Sequence, residues 1–341
     1  MQPALAAESA AGQAVQDSSG ADTQPALAAE SGAGQAVQDS SGADMQPTMS
    51  AGDPAFLASV CKAAAQAEAA LGRFEDALMH YRRAVALQQS LQNGGIPEIA
   101  VTYNDLAVVL YEMDEFEEAE DLLERALQIQ TEYYGSESIR ISTTYNNLGL
   151  LFSARGDHEL AVTYYEKSLQ LQKKCYGEMH PGTAMICCNL GQEYSELSEM
   201  DKAQIFFERA LRINMDLFGE DYSGNAGICN NIGFMHDELA RQAEEEGREE
   251  DAQALMDQAF HWYWKALSIL DKNYGTENPH RADLYSNLAG AYLFRGDTEN
   301  GYHCFETAAA ILEKIFGSDH PRTQAVLGDY AAAREWFEEK S

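Results

Sequence analysis

Four side chains between positions 175 and 188 have the chemistry of metal ligands or nucleophiles: Cys175, His180, Cys187 and Cys188. Thiolates and imidazoles bind zinc, and a thiolate beside a histidine can attack a carbonyl carbon. Their spacing matches no standard zinc pattern, and His180 belongs to a linker pattern that recurs with His320. We therefore predict no metal site, and a cysteine-histidine site is kept only as a remote alternative.

The positions of three cysteines in the repeat favour a structural role. Cys61, Cys187 and Cys229 occupy one repeat position that tyrosine fills elsewhere, as expected of small packed hydrophobic residues. Six cysteines without a CxxC pair or an export signal indicate reduced thiols. Because no Ser-His-Asp set, glycine-rich phosphate loop or paired carboxylate stands out, the sequence predicts a protein that is not an enzyme and needs no cofactor.

A column of amides offers a different chemistry. Asn147, Asn189 and Asn231 follow one another at steps of 42 residues, Asp105 precedes them by the same step, and Asn287 comes 56 residues later. An amide has two donors and an acceptor, which suits pairing with a peptide backbone whatever its side chains. Asparagine costs roughly half a kcal/mol or more against alanine inside a helix, so we expect this column to make a compensating contact.

The column belongs to a repeat of two helices. Apolar residues recur with helical spacing twice per unit, for example at Leu148 and Phe152 and then at Ala161 and Tyr165. A glycine follows the second helix of five units, and a proline opens the next helix after three of these glycines. These glycines are Gly135, Gly177, Gly219, Gly275 and Gly317. A period of this size predicts an all-α solenoid.

This pattern resembles the tetratricopeptide repeat, and its 42-residue period with a Gly-x-x-His-Pro linker is similar to the kinesin light chain variety. The resemblance covers about residues 55–341 and implies an α-α superhelical solenoid that binds proteins. Six repeats and a capping helix are expected at about 55–94, 97–135, 138–177, 181–219, 223–275, 279–317 and 321–340. In the resembling family, asparagines of this column help to hold an extended cargo peptide in the concave groove.

Residues 1–54 have a different character. A 22-residue unit that starts at Gln2 recurs from Gln24 with a single change, Ala10 against Gly32. The segment is rich in Ala, Gly, Ser and Gln and buries too little surface to offset its ordering entropy. We predict that it is disordered, either as a tether or as a tolerated duplication before the solenoid at 55–341.

The charge of the chain argues against several classes of partner. The sequence has 55 Asp and Glu against 23 Lys and Arg, a formal net charge of -32, which repels nucleic acid and anionic lipid. It contains neither a run of eighteen apolar residues nor a signal-peptide pattern in its first thirty residues. We therefore expect a soluble, cytoplasmic protein with no nucleic-acid or membrane partner, and with an apolar or basic protein or peptide as its ligand.

Helical geometry predicts where the amides point. At about 100° per residue, Asn147 points about 150° and Asn146 about 110° away from the packed stripe of their helix. The column should therefore line the groove, where it either binds a peptide or bridges neighbouring repeats, and both alternatives stay open. No Lys or Arg lies two or three positions to either side of the asparagines, which argues against an acidic ligand. The predicted peptide-binding residues are Asn147, Asn189, Asn231, Asn287, Asp105, Asn104, Asn146, Asn230, Leu150, Gln192 and Phe234.

Two acidic features could recruit a basic partner, although a charge run is more often a solvated face. One run, residues 112–124, holds eight carboxylates and no cation. In the fifth repeat, 14 added residues predict a projecting helical hairpin with its tip at about 240–253. A homo-oligomer assembled through this hairpin is the alternative function. Its predicted surface consists of Trp262, Trp264, Glu244, Glu245, Glu246, Glu249 and Glu250.

Overall fold

The described part of the chain is helical throughout. The computed structural model describes residues 53–91, 96–276 and 278–340, which form thirteen α-helices and no β-strand. In chain order they are α1 (Pro54–Ala70), α2 (Phe74–Gln89), α3 (Ile96–Glu112), α4 (Phe116–Tyr134), α5 (Ile139–Ala154), α6 (His158–Tyr176), α7 (Pro181–Glu196), α8 (Met200–Phe218), α9 (Asn225–Glu245), α10 (Glu249–Tyr274), α11 (Pro279–Phe294), α12 (Thr298–Phe316) and α13 (Pro321–Lys340). The predicted all-α fold is confirmed, whereas the prediction for residues 1–54 falls almost entirely outside the described residues.

Consecutive helices pack as six hairpins, which the single helix α13 follows. The chain divides after Gly177 into two compact units, one containing α1 to α6 and the other α7 to α13. Within each unit every hairpin packs on the next one along the chain, which is how a solenoid builds a continuous core from short repeats. None of the described helices is long and apolar enough to cross a lipid bilayer.

Backbone positions with positive φ end the helices at regular places. Inside the hairpins, four of the turns use glycine, while Asp114 and Ser198 take the same position with φ of 60° and 58°. Between hairpins, the five glycines predicted as stop signals all follow the last residue of a helix and have φ between 71° and 93°. Glycine adopts this region without a steric penalty, so the stop signals are confirmed.

The linker histidines begin helices. His180 accepts a hydrogen bond at Nδ1 from the backbone N–H of Gly182 at 3.0 Å, and His320 accepts one from the N–H of Arg322 at 3.2 Å. A proline follows each histidine as the first residue of the helix, where its missing N–H has no helical partner in any case. The recurring His-Pro pair is therefore a helix cap, which gives His180 a structural role.

A glycine in the first helix sets the distance between the two helices of a hairpin. Gly149 faces Tyr165, Gly191 faces Phe207 and Gly233 faces Tyr263. A Cβ atom at any of these glycines would lie 2.6 or 2.7 Å from the nearest ring carbon, closer than non-bonded carbon atoms approach. The three rings are at most 1% exposed. The Leu-Gly pair and the aromatic residue that follows in the second helix are thus two sides of one contact.

The fifth hairpin is longer than the others. Helices α9 and α10 contain 21 and 26 residues, against 16 to 19 in the helices of the other hairpins. The added turns bury Ala240, Ala243, Ala252 and Met256 against each other. Small side chains on both inner faces let the two helices stay close along the extension.

Two arginines join the fifth hairpin to α11 and to the turn that follows it in the same unit. The Arg241 guanidinium lies 5.0 Å from the centre of the Phe294 ring, and the Arg295 guanidinium lies 5.3 Å from that of Phe260. Arg295 also forms an ion pair with Asp257 at 3.0 Å. Such contacts contribute about 0.5–1 kcal/mol each at exposed sites, so they stabilise the fifth hairpin against the following one, and Arg241 does so from the added turns.

Replacing one of the ring-facing glycines tests this packing. Gly191→Ala is expected to lower the free energy of unfolding by about 1–3 kcal/mol, because the new methyl group overlaps the Phe207 ring. Gly227→Ala is the matched control in the same unit, since a Cβ atom there meets nothing within 4 Å. It should leave stability unchanged or raise it by up to about 1 kcal/mol through helix propensity. Urea unfolding followed by circular dichroism measures both changes, and equal losses would contradict the argument.

Candidate partner-binding surface

The predicted asparagine column lies on the first helix of the second to the sixth hairpin. We call the side of these helices that carries the column the first-helix face; Asp105 and Asn147 define it in one unit, and Asn189, Asn231 and Asn287 in the other. Asn147, Asn189 and Asn287 are buried, whereas Asp105 and Asn231 are half-buried. Much of the column is therefore engaged in packing between helices, and less of it is open to a ligand than helical geometry alone indicates.

In the unit of α1 to α6, a buried network joins three helices. Asn147 Nδ2 donates to Asn104 Oδ1 at 3.2 Å, and Asn104 Nδ2 donates to Thr144 Oγ1 at 2.9 Å. The Thr144 hydroxyl donates in turn to Gln130 Oε1 at 2.7 Å. Asn104 belongs to α3, Gln130 to α4, and the other two residues to α5. The network therefore fixes one hairpin against the next.

The unit of α7 to α13 repeats this bond with different partners. Asn287 Nδ2 on α11 donates to Asn230 Oδ1 on α9 at 2.8 Å. Asn231 Nδ2 on α9 points at Cys188 Sγ on α7 at 3.7 Å. Sulfur is a weak acceptor, so Asn231 is held less firmly than Asn287.

The acceptors form a second column, one residue before the first. Asn104, Asn146 and Asn230 were predicted as neighbours of the groove, and two of them accept from an asparagine of the following repeat. The sequence contains a signal for this pairing. Asn146 and Asn147 are adjacent, as are Asn230 and Asn231, so each of these repeats carries one asparagine in the acceptor column and one in the donor column. For Asn147 and Asn287, a bridge between repeats is the contact observed.

Asp105 takes the place of asparagine in the second repeat and bonds to a cation. Lys62 Nζ on α1 lies 2.8 Å from Asp105 Oδ2, and Gln66 Nε2 lies 3.5 Å from the same oxygen. Burial raises the pKa of Asp105, and the ammonium group of Lys62 opposes that change. The pair follows the same rule as the asparagines, because a residue of one repeat bonds to the residue one position earlier in the preceding repeat.

Helix α13 also carries a member of the column. Asp329 stands immediately before Tyr330, the residue that aligns with the leucine of the Leu-Gly pairs. Burial raises the pKa of Asp329 to about 6. Ser286, at the acceptor position of the preceding repeat, has a buried Oγ without a hydrogen-bond partner among residues 53–91, 96–276 and 278–340. The last interface of this unit thus lacks the bond that the asparagines provide.

Apolar side chains border the column in the unit of α1 to α6. A small hollow with room for about one water molecule is lined by apolar side chains of α3, α4 and α5, including Val108, Tyr111, Leu123 and Leu150, and by Asn147. Val108 and Leu150 are half-buried, so they can still lose exposed apolar surface to a ligand. In the other unit, Gln192 on α7 and Phe234 on α9 are also half-buried.

Two cations lie beside the first-helix face, and the spacing rule applied to the sequence missed both. Lys62 pairs with Asp105, as described above. Arg241 comes from the added turns of α9, where its Nε donates to Asp237 Oδ1 at 2.9 Å. Its Nη2 lies 3.7 Å from the place of a Cβ atom at Gly290. The spacing rule considered Lys and Arg only two or three positions from each asparagine. It could not find cations that another helix or the added turns bring close to the column in space. Each cation has a carboxylate partner, so neither presents an unpaired positive charge.

The cysteines are arranged for packing. Cys61, Cys187 and Cys229 are buried, while Cys175 is exposed at the end of α6. Burial raises the pKa of Cys188 to about 12 and that of Cys229 to about 11, so both thiols stay protonated at neutral pH. Across the described ranges, no group of three or more Cys, His, Asp or Glu side chains has the arrangement of a metal site.

The predicted partner surface of the fifth hairpin has an exposed part and a half-buried part. Trp264 is 47% exposed, whereas Trp262 is half-buried and has the Lys265 ammonium 4.9 Å from its ring. The glutamates at the tip, Glu244, Glu245, Glu246, Glu249 and Glu250, are all exposed. In the other acidic run, Glu118, Glu120 and Asp121 form ion pairs with Arg82, Arg155 and Arg125. Arginines of the same unit therefore neutralise three of the carboxylates of residues 112–124.

Two asparagines of one unit provide a test of the column. Asn287→Ala removes the donor to the Asn230 carbonyl oxygen and is expected to lower the free energy of unfolding by about 1–3 kcal/mol. Asn231→Ala loses only a long contact to sulfur and should cost about 1 kcal/mol or less. Urea unfolding of both variants gives the comparison, and equal losses would show that the amide-amide bond is not what stabilises the interface.

The pKa of Asp329 predicts a dependence of stability on pH. Between about pH 4 and pH 6 the folded chain holds this proton more tightly than the unfolded chain, so stability falls as the pH rises through that window. Asp329→Asn removes this loss, and we expect its melting temperature to exceed that of the wild type at pH 8 and to approach it below pH 4.5. Asp216→Asn, an exposed aspartate on α8, is the control. A difference between wild type and Asp329→Asn that does not change with pH would refute the assignment.

Solved structures with the same fold have low sequence identity to this chain. BtubC (BKLC) from P. vanneervenii superposes with a TM-score of 0.57 at 22% identity, covering 73% of this chain and 94% of its own. The apo form of RapI gives a TM-score of 0.57 at 18% identity, with 83% and 99% covered. PilW, a type IV pilus biogenesis factor, gives 0.50 at 15% identity, with 79% and 98% covered. These likenesses establish the fold.

Family models identify the repeat itself. A model described as the tetratricopeptide repeat matches residues 57–132, 98–174 and 140–216, and a second model with the same description matches residues 281–322. No curated protein sequence matches the chain. The matched residues include most of the hairpins in which a glycine faces an aromatic ring. The chain belongs to the tetratricopeptide repeat family.

Proposed function

We propose that this protein is a scaffold without enzymatic activity, which holds an extended segment of a partner protein along its first-helix face. Membership of the tetratricopeptide repeat family supports a role in protein interaction in general. The choice of the first-helix face, and of an extended ligand, rests on the local geometry of each unit.

The hollow beside Asn147 is the observation that carries the proposal. Its lining includes the apolar groups of Val108, Tyr111 and Leu150 and the Asn147 side chain. An extended peptide has side chains alternating with backbone amides, so the half-buried apolar groups of Val108 and Leu150 give one of its side chains a surface to pack on. Burying the exposed part of such side chains contributes about 25 cal/mol per Å² of apolar surface.

The spacing of the helices favours an extended ligand. First helices of neighbouring repeats pack about 10 Å apart, a distance that an extended chain covers in about three residues. In the other unit, Asn231 is the member of the column best placed to bond to such a backbone. Its side chain is half-buried and its only described acceptor is a sulfur atom.

The charges beside this face support an apolar or basic ligand. Lys62 and Arg241 are each paired with a carboxylate, so an acidic ligand would have to compete with Asp105 or Asp237. A net charge of -32 also speeds the approach of cationic segments and slows that of anionic ones. We therefore expect an apolar side chain of the ligand to pack over Val108 and Leu150 at the mouth of the hollow, with basic residues around it.

Two leucines of one hairpin provide the test. Leu150→Glu puts a charge at the mouth of the hollow and is expected to weaken binding of the partner at least tenfold, whereas Leu160→Glu, on α6, should leave it unchanged. Leu160 is 45% exposed and receives the same change in size and charge. Partners are identified by affinity capture and mass spectrometry with the wild type, and their binding segments are then titrated as labelled peptides by fluorescence anisotropy. If both variants bind a captured segment like the wild type, the first-helix face is not the binding site.

A further inference from the structure

A second hollow lies along α10 of the fifth hairpin. Trp264, Leu267, Ser268, Asp271 and Lys272 follow at the spacing of one helical face, and Tyr285 of α11 completes the lining. None of these residues belongs to the asparagine column. The surface is therefore distinct from the first-helix face.

Trp264 keeps a largely open ring, as does Tyr274 at the end of the same helix. Trp264 is 47% exposed, and its indole N–H donates a hydrogen bond to the Tyr292 hydroxyl of α11, which leaves a ring face open. The neighbouring rings are occupied, since the Lys265 ammonium lies 4.9 Å from the Trp262 ring and the Arg281 guanidinium lies 5.6 Å from that of Tyr285. The chain thus already places its own cations on the other two rings.

The charges at the edge of the hollow are paired within the protein. Lys272 Nζ lies 2.6 Å from Asp221 Oδ1, and Asp271 forms an ion pair with Arg281. The charges that act on an approaching ligand are therefore those of the wider surface. Residues 240–253 of the same hairpin contain six carboxylates and two arginines, and the chain as a whole carries a net charge of -32.

We propose that Trp264 and the hollow beside it bind an arginine- or lysine-bearing segment of a partner protein, with the cation resting on the indole ring. Tryptophan is the strongest of the aromatic side chains in such contacts, and arginine is their most frequent cation. The surrounding negative field attracts a basic segment and opposes a second copy of this chain, which carries the same net charge. Trp264 supplies the specific contact, and the carboxylates of the extension supply the long-range attraction.

The full chain and two synthetic probes separate these contributions. The first probe is a fluorescein-labelled peptide of alternating glycine and arginine, and the second replaces each arginine with citrulline, which keeps the shape and loses the charge. We expect Trp264→Ala to weaken binding of the arginine peptide about fivefold, the effect of losing one exposed cation-π contact of about 1 kcal/mol. Trp262→Ala, whose ring already carries Lys265, should bind like the wild type, and the citrulline peptide should not bind measurably.

Three other results would each contradict the proposal. If Trp264→Ala binds the arginine peptide like the wild type, the attraction comes from bulk charge alone. If the citrulline peptide binds as tightly as the arginine peptide, the hollow takes an uncharged group. If sedimentation shows a wild-type dimer that Trp264→Ala dissociates and the arginine peptide does not, the occupant is a second copy. Trp264→Phe provides a second variant that keeps a ring in place, and its affinity should fall between those of the wild type and Trp264→Ala.

Discussion

The close approach of a glycine to an aromatic ring is the contact on which the rest of this structure depends. Where Gly149 faces Tyr165, no room remains for even one additional carbon atom. That distance fixes the two helices of a hairpin, and the hairpin then presents the remaining faces of its first helix to the neighbouring repeat. Because the same contact recurs in successive repeats, the polar residues of their first helices come into register with each other.

Register between repeats explains why amides are tolerated inside these helices. Asn147 donates to Asn104 of the preceding repeat, and Asn287 donates to Asn230 in the same manner. A buried amide with a partner contributes to stability, whereas the same group without one costs about 1–3 kcal/mol, so the pairs also select the correct alignment of hairpins. Of the amides of the column whose contacts are described, Asn231 is the one least committed to packing.

The fifth hairpin departs from the repeat and gives the chain features that its neighbours lack. Its added turns bring Arg241 beside Gly290 and into an ion pair with Asp237. They also extend α10, on which Trp264 remains 47% exposed. The repeat pattern sets the packing of the hairpins, and the added turns place Arg241 where the regular repeat has no residue.

The sequence by itself determined the all-α repeat fold, the helix stops and the amide column, because each depends on residues at fixed spacing along the chain. For the amide column, the sequence allowed either the binding of a peptide or a bridge between neighbouring repeats, and it did not choose between them. Only the tertiary structure decided that Asn147 bonds to Asn104, and that Lys62 and Arg241 lie beside this face. These contacts join residues of different helices, and the distances between such residues are set by how hairpins pack, which the spacing within a repeat does not specify.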